Sequence, residues 1–553
     1  MMSKKLCGTL ITFAVSLALS QAAAAADTGA EERSLSELRN TVINMLQALV
    51  EKGVLTREQA EALVKNAQAK AQAETAARTA QQKAQEEADK GAVRVPYVPQ
   101  IVKDEISKEV VAQLEPNVKK EIEGDINSQG TLRAALPDWV KNMRWTGDVR
   151  VREEGDDFAR GNVPGSYLDY NQINSKGGIA QAGELVALNV NDDRNRLRLR
   201  MRFGFDAMLG DGWMAGMRIA TGAGEIFPTT NQTQGTYGDK YQIALDQGYI
   251  RWEGGPSGGR QLFSTTLGRF ANPWLGTELV WYNDLTFEGV TGGYRFNLSS
   301  DNAHRHDLFA TVGAFPLQSF ALFDPNTAGK DKWLAAAQVG FDMRTENQSR
   351  FAFGAAYYDY IHVVGQLNSI NNPGQYNWTA PALVQKGNTL FDIDSALGTS
   401  SNLFALASDY RIVDLTALID WHLTSRYSLN FTADAVKNIA FDAAQVEART
   451  GYYVAPRTRG YKADIGFSSN VPGVLGTWRL ALGYRYLQRD AVLDAFNDED
   501  FHLGGTDTRG YTVIFDYGFN PHVGMRVKYM SANEIDGPPL GIDVWQLDLN
   551  TQF

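Results

Sequence analysis

The sequence predicts a transmembrane antiparallel β-barrel of about sixteen strands, preceded by an α-helical region and an export signal. Three observations point there. From Arg144 onward apolar and polar residues alternate with a period of two, the connections between these segments are alternately short and long, and the chain ends on a strand closed by an aromatic residue. In that strand, Asp543 to Phe553, the residues Trp545, Leu547, Leu549, Thr551 and Phe553 share one side, and Val544, Gln546, Asp548, Asn550 and Gln552 share the other. One apolar side for lipid and one polar side for a lumen is what closing a barrel in a bilayer requires, so Trp545 and Phe553 are the expected closure residues.

The N-terminus carries Lys4 and Lys5, then an apolar stretch from Leu6 to Leu19, then Ala22 to Ala26 before Asp27, the three zones of a secretory signal peptide over residues 1–26. The single cysteine, Cys7, lies inside it and lacks the small-residue context of a lipidated cysteine, so the mature chain is expected to hold neither disulfide nor lipid anchor. Export combined with 26 Phe, 22 Tyr, 11 Trp and 52 Gly, without a run of about 20 apolar residues, favours an outer-membrane barrel over a soluble periplasmic enzyme. The formal charge of -11 becomes -13 once Lys4 and Lys5 leave, which gives no support to nucleic-acid binding.

Residues 27–137 read as a periplasmic helical region. Leu35, Leu38, Val42, Leu46 and Leu49 recur at helical spacing, and Gly53 interrupts them. Thr56 and Gln59 resemble a capping box that starts a second helix, which runs through Leu63 and Val64 into an alanine-rich stretch near Lys90. That stretch fits either a solvent-exposed spacer or a narrow coiled coil with alanine in the seam. Pro96 and Pro99 break it. A third amphipathic piece is marked by Ile106, Val110, Leu114, Val118, Ile122 and Ile126, with Pro116 bending it. Nothing in this region points to chemistry.

The barrel is expected over 138–553, with the boundary near Pro137. Its clearest strand runs from Arg194 to Leu209, where Leu197, Leu199, Met201, Phe203 and Phe205 alternate with Arg196, Arg198, Arg200 and Arg202. Arginines on the lipid side would each cost several kcal/mol, so this face must meet water or carboxylates and defines the lumen. The same alternation marks Trp478 to Tyr486 and Tyr511 to Gly518, with Ile514 an apolar exception on the lumen side. Sixteen segments follow, rising near 144–153, 213–221, 260–270, 307–315, 350–361, 427–439, 477–489 and 522–532, and descending near 194–209, 241–252, 284–297, 332–344, 410–423, 458–470, 509–519 and 542–553. Descending-to-rising links are short, as in LGDG at Leu209 to Gly212, LTSR at Leu423 to Arg426, and Asn520-Pro521. Links the other way are long, especially 154–193 and 362–409. That rhythm matches periplasmic turns and external loops.

Candidate pore-lining residues are Arg150, Arg152, Arg196, Arg198, Arg200, Arg202 and Arg218 on the first three strands. Asp414, Asp420 and Asp434 fall on the facing wall. Opposed walls of this kind would set a transverse field that orients polar solutes; alternatively the charges pair with one another or with loops and fill the barrel. The loop from Ala271 to Asn283 mixes aromatic and polar residues, among them Asn272, Trp274, Glu278 and Trp281, and either folds inward as a constriction or contacts another subunit. His422 and His502 are isolated, and neither G-x-S-x-G nor H-E-x-x-H occurs, so no catalytic residue, metal site or cofactor is expected.

Several stretches resemble the Putative porin family of bacterial outer-membrane proteins, which shares a general plan with phosphate-selective and general porins. They are WTGDVRVREE at Trp145 to Glu154, NRLRLRMRFGFDAML at Asn195 to Leu209, GMRIATG at Gly216 to Gly222, TNQTQG at Thr230 to Gly235, LGRFANPW at Leu267 to Trp274 and DLTFEG at Asp284 to Gly289, with EKGVLTREQAEAL at Glu51 to Leu63 resembling the family's periplasmic segment. The resemblance implies passive diffusion of small hydrophilic solutes or ions across the outer membrane. It also implies a homo-oligomer, a trimer being the expected form. Lipid, the barrel-assembly machinery and cell-wall contact are the further expected partners. A structural or adhesive anchor with a plugged barrel is the alternative, and an anion- or phosphate-selective channel a minor one.

Overall fold

The computed structural model describes residues 138–553 except 183–185, 224–227, 257–259, 300–304, 321–328, 399–402 and 470–475. The leader and the helical region expected before Pro137 lie outside the described residues. Sixteen strands form the wall: β1 (Met143–Phe158), β2 (Arg194–Gly210), β3 (Trp213–Ala220), β4 (Ala244–Gly254), β5 (Gln261–Ala271), β6 (Thr286–Asn297), β7 (Arg305–Gln318), β8 (Lys332–Arg344), β9 (Arg350–Ile361), β10 (Arg411–His422), β11 (Tyr427–Asn438), β12 (Arg459–Ser469), β13 (Trp478–Leu487), β14 (Thr508–Asn520), β15 (Val523–Glu534) and β16 (Gly541–Gln552). The two-residue strand Gln232–Thr233, in the loop after β3, adds a seventeenth member by pairing with β2. Each wall strand is antiparallel to its neighbours, and β16 pairs with β1 from Asp148↔Gln552 to Phe158↔Ile542, so the sheet closes on itself. Every strand anticipated from alternation is present.

Closure removes the sheet edge that a bilayer could not satisfy, because no water is available there for unpaired amides. At the seam the Phe553 amide donates to the Gly147 carbonyl at 3.0 Å and the Gly147 amide donates back to the Phe553 carbonyl at 2.9 Å. The Phe553 ring occupies the space a side chain at Gly147 would need, and the Trp545 indole does the same at Gly155. Alternation sorts the wall as the sequence demands: Leu197, Met201 and Phe203 are exposed on the outer face, whereas Arg198 between them is buried inside.

The short turns explain the register. Between β2 and β3, Gly210, Asp211 and Gly212 all have positive φ, and a Cβ on Gly212 would run into the Glu253 carbonyl oxygen of β4. Between β14 and β15, the Asn520 side chain accepts from the amides of His522 and Val523, both at 2.8 Å. Between β10 and β11, Thr424 Oγ1 accepts from the amides of Arg426 and Tyr427 at 3.2 and 3.1 Å.

The lumen is less polar than alternation predicts. An apolar core fills part of it, joining Phe270, Phe287, Phe315, Leu334, Tyr358 and Ile412 of the wall to Trp274, Leu279, Val280 and Trp281 of the loop after β5 and to Val492 and Leu493 of the loop after β13. Inward-facing apolar wall residues therefore mark where loops dock, rather than where water stands. Gly212→Val is expected to destabilise the barrel by about 1–3 kcal/mol, since a β-branched residue is strained at positive φ and meets backbone there. Urea unfolding in lipid vesicles measures this; an unchanged midpoint would contradict the turn geometry.

Candidate functional site

Strands β1 and β2 pair so that Arg150 lies opposite Arg200 and Arg152 opposite Arg198, which stacks like charges across one ladder. Such a row persists only if carboxylates interleave it. They do. Arg152 binds Asp548 of β16 at 2.7 Å, Asp500 at 2.9 Å and Glu154 at 3.4 Å. Arg196 binds Glu154 at 2.5 Å, and Arg198 reaches Glu154 at 3.5 Å and Glu499 at 3.3 Å. Arg200 and Arg202 share Asp148, at 2.9 and 2.7 Å, and each also lies 3.1 Å from Asp284. Arg218 pairs with Asp246 at 2.6 Å. Arg150 differs: it donates to Asn231 and has no carboxylate in ion-pair contact among the described residues, while its Nε is buried without a partner.

The loop 272–285 crosses into the lumen. Asn272 accepts from the Trp274 amide at 3.0 Å, turning the chain inward. Gln338 of β8 then exchanges two bonds with Leu275, at 2.8 and 2.7 Å. Thr277 donates to Asp434 of β11 at 2.6 Å, and Glu278 binds Lys462 of β12 at 2.8 Å. Trp281 packs edge-on against Phe287 and Tyr358, and Trp274 against Phe315 and Tyr358. Lys462 holds the Glu278 carboxyl well below the usual carboxylate range. Burial pushes the Asp284 carboxyl up, but Arg200, Arg202 and Arg150 outweigh it and keep it low.

A second inward loop, 488–507, completes the charge lattice, and the sequence reading missed it. Its Phe496 carbonyl accepts from the Tyr282 amide at 2.8 Å, linking the two loops. Glu499 and Asp500 reach the arginine row, and Asp498 binds Arg485 of β13 at 3.0 Å. Burial resists ionisation of Asp500, yet Arg152, Lys528 and Arg198 hold its carboxyl low. Burial drives Glu499 up to about 7, with Arg198 opposing and Asp500 reinforcing the rise. The available signal was the acidic run Asp498, Glu499, Asp500 between two strands. Strand alternation also offered Lys462 and Lys528 as inward cations.

The three aspartates of the facing wall separate. Asp414 and Asp434 point inward but are 0% and 2% exposed, sealed beneath the loop that Thr277 anchors. They present no charge to open space. Asp420 stays exposed in the lumen and accepts from Asn430 at 2.8 Å. Open space lies toward the short-turn end, as three adjoining cavities of about 1120, 510 and 310 Å³. The largest runs from Asn520, Pro521 and His522 at the mouth to Arg150, Arg200, Arg202, Tyr282 and Asp284. The three share Ser468 and Ser469, or Arg344 and Arg350, and fourteen Arg and Lys line them against nine Asp and Glu.

Residues 39–553 match the family described as Putative porin, and the chain belongs to that family. It is thus a barrel of the porin fold in the outer membrane, consistent with non-catalytic passive diffusion of solutes. No curated protein matches the sequence. Among solved structures, OprB of Pseudomonas putida at high pH shares 13% identity at a TM-score of 0.40, covering 75% of this chain and 95% of that one. The outer-membrane channel DcaP of Acinetobacter baumannii shares 11% at 0.36, covering 74% and 97%, and Salmonella typhi OmpF in complex with daunomycin shares 10% at 0.36, covering 74% and 97%.

Because Glu499 is neutral below and charged above about 7, raising the pH through that value adds a negative charge beside Arg198. The reversal potential of the reconstituted protein in a salt gradient should move toward cations over that interval. Glu499→Gln should remove most of the movement; an identical shift in the variant would assign the titration elsewhere.

Proposed function

We propose that this member of the Putative porin family forms a water-filled channel for passive diffusion of small hydrophilic solutes and ions. In this reading solutes enter the charged cavities and pass along the arginine row beside the loop 272–285. The observation that carries it is the run of charged side chains that lines the largest of these cavities from the short-turn mouth to Arg200, Arg202 and Asp284. Arg150, Arg152, Arg196, Arg198, Arg200, Arg202, Arg218 and Asp420 then act as pore-lining or wall-bracing charges. Asp414 and Asp434 act through the loop that covers them, and Asn272, Trp274, Glu278 and Trp281 shape its constriction. The cationic excess of the lining favours anions, because fixed charge raises the local concentration of the opposite ion.

The helical region 27–137 is assigned to the periplasm, where it would aid assembly or attachment without gating flow. Its removal should then leave single-channel conductance unchanged. Oligomerisation, with a trimer as the expected form, and insertion by the barrel-assembly machinery complete the proposal. A second reading, an anchor whose barrel is plugged, draws support from the depth at which Trp281 and His502 are buried.

Arg200→Gln combined with Arg202→Gln leaves Asp148 without its cations and Asp284 with Arg150 as its nearby cation. The anion-to-cation permeability ratio should fall roughly severalfold in planar bilayers. A folded double variant with unchanged selectivity would remove these residues from the selectivity mechanism. Absence of any conductance in the folded wild-type protein would favour the plugged anchor.

A further inference from the structure

The outer face of the barrel carries a cationic patch that solute passage does not use. At the long-loop ends of β10, β11, β12 and β14 stand Arg411, Lys437, Arg459 and Arg509, all exposed. Their neighbours fix the side they face. Ile412 and Val436 are buried in the inner core, and Lys462 reaches the inward loop at Glu278, so Arg411, Lys437 and Arg459 point outward by alternation. Arg509 shares its face with the exposed Tyr511.

Lys437 lies directly opposite Arg459 in the ladder, and Arg509 lies opposite Tyr486, itself opposite Tyr461. Like charges directly across a sheet repel. Yet among the described residues Lys437, Arg459 and Arg509 have no ion-pair partner, whereas Arg411 stands opposite the outward Asp359 and reaches Asp409 at 3.7 Å. A repulsive pair left uncompensated on a chain of net charge -11 calls for an external anion. Its depth identifies the source. Beside them, on β12 and the adjoining β13, lies a belt of tyrosines, with Tyr461 stacked on Tyr486 at 5.3 Å and 6.3 Å from Tyr484. Aromatic belts of this kind settle at the level where acyl chains give way to headgroups, which sets the cations at headgroup height.

We infer that Lys437, Arg459 and Arg509, assisted by Arg411, bind the phosphate groups of an outer-leaflet lipid headgroup. Cations at such a surface each strengthen attachment to anionic lipid, and guanidinium groups add paired hydrogen bonds to phosphate oxygens. Neighbouring strands stand about 4.8 Å apart, so side chains from β11 and β12 converge on one phosphate while Arg509 reaches a second.

Native mass spectrometry of the full chain, released from zwitterionic detergent, tests this with a bisphosphorylated outer-leaflet glycolipid and the same glycolipid without phosphates. The wild type should retain the phosphorylated lipid and not the other. Lys437→Gln, Arg459→Gln and Arg509→Gln together should weaken retention roughly a hundredfold with conductance unchanged, and Lys437→Gln alone, should the triple variant misfold, roughly fivefold. Equal retention by variant and wild type, or equal binding of the dephosphorylated lipid, would overturn the inference. So would displacement of the lipid by millimolar inorganic phosphate, which would indicate a free-anion site, or a change in oligomeric state without lipid, which would indicate a second copy of the chain.

Discussion

A strand that crosses lipid cannot keep an unpaired charge on its outer side at the depth of the acyl chains, and the rest of this fold follows from that constraint. The arginines of β1, β2 and β3 all point inward, where they cannot stand alone. Arginines facing each other across a ladder need carboxylates between them. The wall supplies Asp148, Glu154 and Asp548, and the loops supply Asp284, Glu499 and Asp500. The charge lattice is thus also what pulls two loops into the barrel. Removing one member of a buried pair typically costs about 3–5 kcal/mol, because the remaining charge is stranded. The lattice therefore braces the lumen as much as it lines it.

Pairing and passage divide the arginines. Arg152 and Arg198 are almost fully buried and bind three carboxylates each, so they hold the loop 488–507 in place. Arg200 and Arg202 border the largest cavity and share their carboxylates, which leaves part of each guanidinium to water. Arg150, bound among the described residues through Asn231 and to no carboxylate, is the least neutralised member of the row. Opposite them the apolar cluster around Trp281 and Tyr358 gives the loop 272–285 a rigid footing.

The wall was legible in the sequence because strand alternation is a local signal: Leu197 and Arg198 carry their own facing. Turn chemistry was equally local, at Asp211-Gly212 and at Asn520. The destinations of loops were not. Whether Glu499 meets Arg198, 301 residues earlier, depends on strand neighbours that only closure brings together. For the same reason Asp414 and Asp434 read as open lumen charges, although Thr277, far away in sequence, covers them. Inward Phe287, Phe315 and Tyr358 broke the polar pattern of the lumen side, and that break, with the acidic run Asp498 to Asp500, was the sequence sign of loop docking.

The central claim is that solutes pass along the arginine row beside the inward loop, at Asn283, which is exposed on the largest of the three cavities. Cys7 is the only native cysteine and lies in the expected leader, so Asn283→Cys introduces a unique thiol. Single-channel conductance recorded before and after a bulky thiol reagent is added from the short-turn side reads this path directly. The account predicts an open channel whose conductance drops sharply on modification and recovers on reduction. Full conductance after complete modification would place the path elsewhere and contradict it.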